Sequence, residues 1–231
     1  MTAIILQARL DSSRLPGKVL LPLGGRPLLF RVMEALNRVP SDLWVLACPE
    51  DCIDAFTPLA GEAGFEIIAG PKEDVLERYC IAIRNFHIDR VIRATGDNPF
   101  VFPDAAIAIN DESASRNADY AGYSGLPPGA GVESISAAAL LRAEKEASAL
   151  PEREHVCPYL YGHPELFSLH RPLAPLPWQD SSIRLTVDTA ADYERACSLY
   201  EALSFSGDSD ARYRGEAIIA AWSGLFLQDR R

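Results

Sequence analysis

Short apolar runs rich in β-branched residues alternate with amphipathic segments through the first hundred residues of the chain. The runs that have the length and composition of buried strands are AIILQA, DLWVLA, FEIIAG and DRVIRAT, and helical patterns lie between them. This alternation predicts an α/β fold in which right-handed crossovers make the early strands largely parallel. Ligands of such folds bind at the carboxyl ends of the strands. The functional residues are therefore expected in the loops that follow these runs.

The segment RPLLFRVMEALNRV shows the helical pattern most clearly. Its apolar residues recur at spacings of three and four, which predicts a helix with one apolar stripe packed on the sheet. Met33 belongs to that stripe, and we assign it to the core and not to a cofactor contact.

The pattern becomes irregular after Pro103, where glycines, prolines and longer connections are frequent. The stretches ADYAGYSGLPPGAGVESIS and LFSLHRPLAPLPWQDSSIRLTVDT predict antiparallel or mixed strands and a flap that closes over a ligand. A chain of 231 residues that is 48% hydrophobic predicts a single domain, residues 1–231, around one large core. The last residues, SGLFLQDRR, are predicted to finish a helix.

Charge is distributed unevenly along the chain. The formal net charge is -10, yet residues 1–40 carry six basic side chains against two acidic ones, and three of the basic residues, Arg9, Arg14 and Lys18, lie in one loop. An acidic chain would be repelled by bulk nucleic acid or by an anionic membrane, so neither is expected as a partner. The basic loop is better interpreted as a site for a small anion than for a macromolecule, although charge alone favours a solvated surface patch, since scattered arginines are common on surfaces.

Cysteine usage and hydropathy indicate the compartment. Five cysteines, an odd number, are scattered along the chain, which argues against a disulfide framework and is typical of free thiols in a reducing compartment. No apolar run approaches the roughly 20 residues of a membrane span. The protein is therefore expected in the cytoplasm.

The basic loop, LQARLDSSRLPGKVL, has the composition of a phosphate-binding loop. Gly17 permits tight backbone geometry, Pro16 stiffens the turn, and Arg14 and Lys18 present donors from either side. The loop is not a Walker A motif, since Gly17 and Lys18 are followed by Val19 and no glycine stands at the required upstream position. A dinucleotide-binding fingerprint is also missing from the loop.

Two aspartates follow predicted strands and are candidate metal ligands. Asp97 in RATGDNPFV comes directly after a buried run, and Asp188 in IRLTVDTAADYE has an equivalent position. Carboxylates at neighbouring strand ends could share one Mg²⁺ ion. Asp188 could instead cap the following helix, and Thr189 is an equally suitable cap.

Five motifs, in order, resemble those of the cytidylyltransferases that activate acidic sugars. They are QAR with SSRLPGKVLLPLGGRPLL, EDVLERY, RATGDNPFV, PEREHVCPYLY and RLTVDTAADYE, and they extend over roughly Ala3 to Leu203. The chain is most similar to the spore-coat polysaccharide branch, which is related to the acylneuraminate and 3-deoxy-manno-octulosonate cytidylyltransferases. No single motif would suffice, but a chance match of five in order is improbable.

This resemblance implies a Rossmann-like three-layer α/β/α nucleotidyltransferase fold of the GT-A type. Its sheet would be mixed and mostly parallel, with a small antiparallel flap. Residues 1–103 would form the nucleotide-binding half, and residues 104–231 the half that binds the acceptor and a second copy in a homodimer. The implied reaction is attack by an acceptor oxygen on the α-phosphorus of CTP, with release of pyrophosphate and with Mg²⁺ as cofactor.

The resemblance also implies roles for individual residues. Backbone near Ala8 and Arg9 would read cytosine, and Arg14 and Lys18 would bind the triphosphate. The implied nucleotide-binding set is Ala8, Arg9, Ser13, Arg14, Lys18 and Asp97. The implied catalytic residues are Lys18, Arg14 and Asp97, and the implied metal ligands are Asp97 and Asp188.

These motifs specify the acceptor site less clearly than the nucleotide site. In PEREHV, Arg153 could bind a carboxylate and His155 is a further candidate, while Glu133 in AGVESI is a candidate on a flap strand. The segment from Glu152 to Tyr161 could equally be an interface helix, and Pro158 indicates that a helix begins or bends there.

Two departures from the family pattern keep alternatives open. Asp11 places an acid in the phosphate-binding loop, and GLPPGAGVES lacks an acidic residue found in many relatives, so acceptor recognition is expected to differ. One alternative is a metal-dependent GT-A-type glycosyltransferase, although Asp97 is followed by Asn98 and Pro99 and not by an Asp-x-Asp pair. The other is a noncatalytic nucleotide-binding scaffold. Neither the acceptor nor the identity of the nucleotide follows from the residues alone.

Overall fold

Seven strands of this computed structural model form one mixed sheet, and two more form a small antiparallel hairpin. The structure describes residues 1–226. The nine strands in this range are β1 (Thr2–Gln7), β2 (Pro22–Leu23), β3 (Arg26–Pro27), β4 (Leu43–Pro49), β5 (Glu66–Gly70), β6 (Arg90–Thr95), β7 (Tyr120–Ala121), β8 (Glu133–Ser136) and β9 (Leu169–His170). The helices are α1 (Leu28–Leu36), α2 (Ile53–Ala63), α3 (Val75–Phe86), α4 (Pro103–Ser115), α5 (Ala137–Glu146), α6 (Leu150–His155), α7 (Pro158–Gly162), α8 (Ala190–Ser204) and α9 (Gly215–Phe226).

The sheet has the order β5-β4-β1-β6-β8-β7-β9, and β2 pairs with β3 outside it. The four early strands are parallel, as predicted, since β1 pairs in parallel with both β4 and β6, and β4 pairs in parallel with β5. Beyond them β8 is antiparallel to β6 and to β7, whereas β9 is parallel to β7. The predicted change to mixed strands in the second half is thereby confirmed.

Alternating side chains of the strands build one apolar core on each face of the sheet. Ile4 and Leu6 of β1 face the layer that contains α1, α2, α4, α8 and α9, and Ala3 and Ile5 face the layer with α3, α5 and α7. Met33 on α1 is fully buried in the first layer, in agreement with its assignment to the core. The architecture is therefore the predicted three-layer α/β/α sandwich.

Several contacts hold the strand ends together where the site lies. The amide of Gly96, after β6, donates to the carbonyl of Gln7 at the end of β1 at 2.8 Å. A side chain at position 96 would bring its Cβ within 2.9 Å of the Ala8 Cβ, so a glycine allows the two strand ends to approach this closely. The amide of Val187 donates to the carbonyl of Asp97 at 2.9 Å, which brings residues 187–188 beside the end of β6.

The segment from Glu152 to Tyr161 is two short helices and not one. The helix α7 begins at Pro158, as expected for a proline that cannot continue a helix, and Val156 between the helices has φ 71° and ψ -55°. The Cys157 amide donates to the His155 carbonyl at 2.8 Å, which closes a γ-turn around Val156.

Two further expectations concern the thiols and the ends of the chain. The cysteines within residues 1–226 are free thiols, and four of the five are buried. No helix in this range has both the length and the apolar character needed to cross a membrane. Of the helix predicted at the C-terminus, α9 extends to Phe226, and the rest of that prediction lies outside the described residues.

Candidate functional site

A cleft of about 400 Å³ opens at the carboxyl edge of the sheet, beside the ends of β1 and β6. Most of the residues predicted for the site line it. They are Ala8, Arg9, Ser13, Arg14, Lys18, Asp97, His155 and Asp188. Motifs that are up to 180 residues apart in the sequence therefore meet in one cavity. The rule for parallel strand ends accounts for Ala8 and Asp97, after β1 and β6. The strand predicted before Asp188 does not form, and Asp188 instead follows an irregular segment.

Lys18 lies at the centre of the charged groups of this cleft. Its Nζ donates to Asp97 Oδ2 at 2.9 Å, to Asp188 Oδ1 at 2.9 Å and to the carbonyl of Val187 at 2.7 Å. The side chain is almost completely buried, and these three bonds use all three donors of an ammonium group. Lys18 therefore joins the two predicted metal-binding aspartates into one cluster.

Two arginines complete the surroundings of Asp188. Arg14 Nη2 lies 3.0 Å from Asp188 Oδ1, and Arg184 binds Asp188 Oδ2. Burial of Asp188 acts to raise its pKa, but the hydrogen bond and charge of Lys18, together with Arg14 and Arg184, outweigh burial and lower the pKa. Asp188 is therefore a carboxylate at neutral pH.

The cap of α8 is Thr189 and not Asp188. Thr189 Oγ1 accepts from the Asp192 amide at 3.2 Å, while Asp192 Oδ2 accepts from the amides of Thr189 at 2.9 Å and Asp188 at 3.1 Å. This capping box supplies acceptors for the first turn of the helix. The side chain of Asp188 is consequently available to the cleft.

The loop after β1 carries its basic groups along one wall of the cleft. Gly17 has φ 67°, a left-handed conformation that explains the glycine in the LPGK sequence, and its amide donates to the Leu10 carbonyl at 3.0 Å. The side chains of Arg9 and Arg14 are 46% and 61% exposed. The loop thus combines a tight turn with two accessible guanidinium groups, as its composition predicts.

Asp11, the unexpected acid in this loop, has its own counter-ion. Lys72, which precedes α3, places its Nζ 2.6 Å from Asp11 Oδ2, and the hydrogen bond from Lys72 lowers the pKa of Asp11. The ion pair joins the loop after β1 to the loop after β5 and neutralises the charge that would oppose an anion.

Of the three residues predicted to bind the acceptor, only one lines the cleft. His155 lines the cleft, as does its neighbour Glu154, whose carboxylate lies 4.0 Å from Arg9. Arg153 instead binds the carboxylate of Asp74 at the start of α3 and donates to the Glu144 carbonyl at 2.6 Å. Glu133 pairs with Arg93 and accepts from the Tyr120 hydroxyl at 2.7 Å. The structure thus brings His155 to the cleft, whereas Arg153 and Glu133 lie outside its lining and are held in ion pairs, Glu133 with Arg93, which does line the cleft.

Sequence reasoning missed several polar residues that line the cleft, namely Gln7, Arg78, Arg93, Thr95, Asn98 and Thr186. Arg78 could have been found. It lies three residues after Val75 and one before Tyr79, on the buried stripe of α3, where an arginine is unusual. An ionisable residue on an apolar stripe is a signal independent of any family motif.

The carboxylates of Asp97 and Asp188 are hard oxygen donors of the type that Mg²⁺ or Mn²⁺ prefers. Their oxygens already hold one positive charge between them, the ammonium of Lys18 at 2.9 Å from each. Within residues 1–226 no group of three or more His, Cys, Asp and Glu side chains is arranged to hold a metal ion. A divalent cation at this pair would therefore need further ligands, such as phosphate oxygens or water.

Fold and site place the chain in the class of nucleotidyltransferases, and comparison with known proteins narrows that class. A family model described as cytidylyltransferase matches residues 3–210. The chain belongs to this family, which confirms the resemblance inferred from the five motifs.

Individual relatives agree with this assignment. The spore coat polysaccharide biosynthesis protein SpsF of Bacillus subtilis is 32% identical over 204 residues, covering 85% of each chain. A 3-deoxy-manno-octulosonate cytidylyltransferase of Photobacterium profundum is 33% identical over 129 residues, 51% of this chain and 48% of its own. The solved structure of a cytidylyltransferase from Leptospira borgpetersenii superposes with a TM-score of 0.86 at 26% identity, covering 96% of this chain and 94% of that one.

Proposed function

We propose that this protein transfers CMP from CTP to a hydroxyl oxygen of a sugar acid or a related acceptor and releases pyrophosphate. The observation that carries the proposal is the cluster of Lys18, Asp97 and Asp188 at the base of a cleft whose wall is a basic, glycine-containing loop. Membership in the cytidylyltransferase family supports CTP as donor. The relatives named for polysaccharide biosynthesis and for 3-deoxy-manno-octulosonate support a sugar-acid acceptor.

In the proposed reaction the acceptor oxygen forms a bond to the α-phosphorus while the bond to the pyrophosphate oxygen breaks. Negative charge grows on the phosphate oxygens as this occurs, and donors fixed in the site stabilise it. Arg14 and Lys18 supply such donors, and both lie within 3.0 Å of the Asp188 carboxylate. Because the three donors of Lys18 already have acceptors, one of these acceptors would be exchanged for a phosphate oxygen when the nucleotide binds.

The proposed cofactor is Mg²⁺, held by Asp97 and Asp188. Both carboxylates supply the hard oxygen ligands that the ion prefers. The two carboxylates also bind the ammonium of Lys18, so the space between them favours positive charge. When bound, the ion would neutralise phosphate charge. The protein's own residues hold the two carboxylates together, through Lys18, and fix the position of Asp188 beside α8, through the cap formed by Thr189.

The acceptor is proposed to bind where His155 and Glu154 line the cleft. Residues 1–103 would bind the nucleotide and residues 104–231 the acceptor and a second copy of the chain in a homodimer. The exposed side chains of Leu173 and Leu176, 64% and 81% accessible beyond the edge strand β9, support a partner surface in this half. The free thiols support a reducing compartment such as the cytoplasm.

The experiment that tests this proposal is an assay of pyrophosphate release with Mg²⁺. CTP is compared with ATP, GTP and UTP against a panel of sugar acids, aminosugars and phosphate acceptors. Release that depends on CTP and on one acceptor class supports the proposal and identifies the substrate. Binding of CTP by calorimetry with no turnover on any acceptor would favour the scaffold function, and absence of CTP binding would overturn the proposal.

A further inference from the structure

Arg78 is a buried arginine at the cleft whose guanidinium is incompletely hydrogen-bonded. The residue is 2% exposed, and among residues 1–226 its Nε and Nη1 have no hydrogen-bond partner. Arg90, a second arginine with substantial burial, donates instead to the Ser113 hydroxyl and to the Ala118 carbonyl. A buried donor without an acceptor is unfavourable, more so on a cation. Such a group in a binding cleft indicates that a ligand completes its bonding.

The surrounding chain provides space for this side chain. A Cβ at Gly70, the last residue of β5, would lie 2.6 Å from Arg78 Cγ and 3.5 Å from Arg78 Cα. Gly70 is not among the glycines with positive φ, so the backbone does not require a glycine there. The stem of Arg78 makes the closest contact with a side chain at position 70, and Ile81 Cδ1, at 3.1 Å from the added Cβ, makes the next.

The electrostatic surroundings of Arg78 do not provide a counter-ion. Burial lowers its pKa, since desolvation disfavours the charged form, and the nearby Arg9 acts in the same direction. Tyr79, Cys48 and Cys52 would raise the pKa of Arg78 only in their deprotonated, charged forms. All three are neutral in their ordinary protonation state at pH 7. Arg78 therefore differs from Lys18, whose charge is balanced by two carboxylates.

Arg78 lies at the end of the cleft remote from the charged cluster. It packs against the end of β5, whereas Asp97 follows β6, and the order β5-β4-β1-β6 separates these strands by three positions. At about 4.8 Å per strand, the two ends are about 14 Å apart. A ligand with its phosphates near Lys18 that extends along the cleft would therefore bring its other end toward Arg78.

We propose that Arg78 determines the base specificity of the site by donating hydrogen bonds to O2 and N3 of cytosine. This inference rests on the proposed function. Cytosine presents two adjacent acceptors, which match the planar fork of a guanidinium. Uracil presents N3–H at the second position, so a donor of Arg78 would face another donor. The same contact therefore favours CTP over UTP.

The test is calorimetric binding of CTP, UTP and 3-deaza-CTP, in which ring N3 is replaced by C–H, to wild type and to Arg78→Lys. A bidentate base contact discriminates by about 5- to 150-fold, so wild type is expected to prefer CTP over both analogues by a factor in that range. In Arg78→Lys the charge remains but the fork is lost. CTP binding is expected to weaken by a similar factor, with little change for UTP and 3-deaza-CTP.

Two further variants separate base reading from a structural role. Gly70→Ala retains the arginine at position 78 but displaces its side chain, and is expected to reduce the CTP-to-UTP preference as Arg78→Lys does. Arg90→Lys alters a half-buried arginine outside the cleft lining and is expected to retain the preference. Circular dichroism establishes that each variant is folded, and Gly70→Ala carries the test if Arg78→Lys does not fold.

Three outcomes would contradict base reading by Arg78. Wild type that binds 3-deaza-CTP or UTP as tightly as CTP overturns it without recourse to any variant. An unchanged CTP-to-UTP preference in the folded variants overturns it as well. A changed ratio of CTP to CMP affinity with intact base preference would assign Arg78 to the phosphates instead. Failure of wild type to bind CTP at all is distinguishable from these results, because it overturns the proposed function itself.

Discussion

Lys18 is a buried cation whose charge is balanced by two carboxylates from distant parts of the chain. Asp97 and Asp188 each lie 2.9 Å from its Nζ, and the Val187 carbonyl accepts its third bond. Removal of one partner from such a cluster leaves the others buried without compensation. Individual residues of this cluster therefore affect both binding and stability, and the two effects are separable by experiment.

Replacement of Lys18 by alanine is expected to slow pyrophosphate release from CTP by about 10²- to 10³-fold, because a fixed donor to the reacting phosphates is lost. The rate is measured at saturating CTP and Mg²⁺. Lys145→Ala, which removes an exposed lysine on α5, is the matched control and should retain the wild-type rate. Full turnover by Lys18→Ala would show that this residue does not act on the phosphates.

The ionisation of Asp188 predicts a dependence of stability on pH. Its pKa lies below the usual 3.8 in the folded chain, so its contribution to stability is complete above that value and is lost as the pH falls through the lower, folded pKa. The free energy of unfolding of wild type, measured between pH 2 and 7, is expected to fall more steeply below about pH 4 than that of Asp188→Asn. Parallel curves for the two proteins would indicate that the ion pairs of Asp188 do not favour its charged form.

The element with the most unusual backbone is the γ-turn between α6 and α7. Val156 at its centre is fully buried, β-branched and in a region with positive φ, a combination that is strained and is typical of sites where surrounding structure fixes the chain. The residues directly before it, Glu154 and His155, line the cleft. The turn therefore ends α6 where these two side chains meet the site.

Glycine at position 156 is expected to be at least as stable as alanine there. Both variants lose the packing of the valine side chain, but glycine tolerates the positive φ, whereas alanine does not. Denaturant unfolding of Val156→Gly and Val156→Ala measures the difference. At Val32, buried in α1, the order should be the ordinary one, with glycine less stable than alanine by about 0.5–1 kcal/mol. The same order at both positions would argue against strain at Val156.

At the scale of the whole molecule, an acidic protein binds an anion through a local concentration of positive charge. The formal net charge of -10 opposes the approach of a triphosphate, while Arg9 and Arg14 at the mouth of the cleft attract it. Salt bridges between these groups and their carboxylates are partly exposed and therefore screened by salt. The affinity for a triphosphate is therefore determined by the local electrostatic field of the cleft and not by the net charge of the protein.

CTP binding is accordingly expected to weaken as NaCl rises from about 0.05 to 0.5 M, because the Debye length falls below the size of the site. Cytidine, which lacks phosphates, is the control and should bind with nearly constant affinity. Calorimetric titration of both ligands over this range provides the comparison. Equal salt dependence for CTP and cytidine would place the phosphates outside the basic loop.

The strands, the first helix and the basic loop could be predicted because each is recorded in a short stretch of sequence. β1, β4, β5 and β6 coincide with short runs rich in apolar, β-branched residues, α1 has an amphipathic stripe, and Gly17 lies within five residues that also contain Arg14 and Lys18. Asp97 and Asp188 could be selected because both follow such runs. Local hydrophobic periodicity determines these features, and tertiary packing does not reverse it.

Only the tertiary structure decided how those features combine. Lys18 lies between two carboxylates 79 and 170 positions away, Thr189 and not Asp188 caps α8, and Arg153 and Glu133 lie outside the cleft lining. Arg78 on α3 and Gly70 on β5 approach so closely that a Cβ at position 70 would lie 2.6 Å from Arg78 Cγ. Such contacts depend on which strand ends and helix ends meet, because a side chain reaches only a few ångströms. The sequence alone determined the fold class and the chemistry available, whereas packing decided which groups share a site.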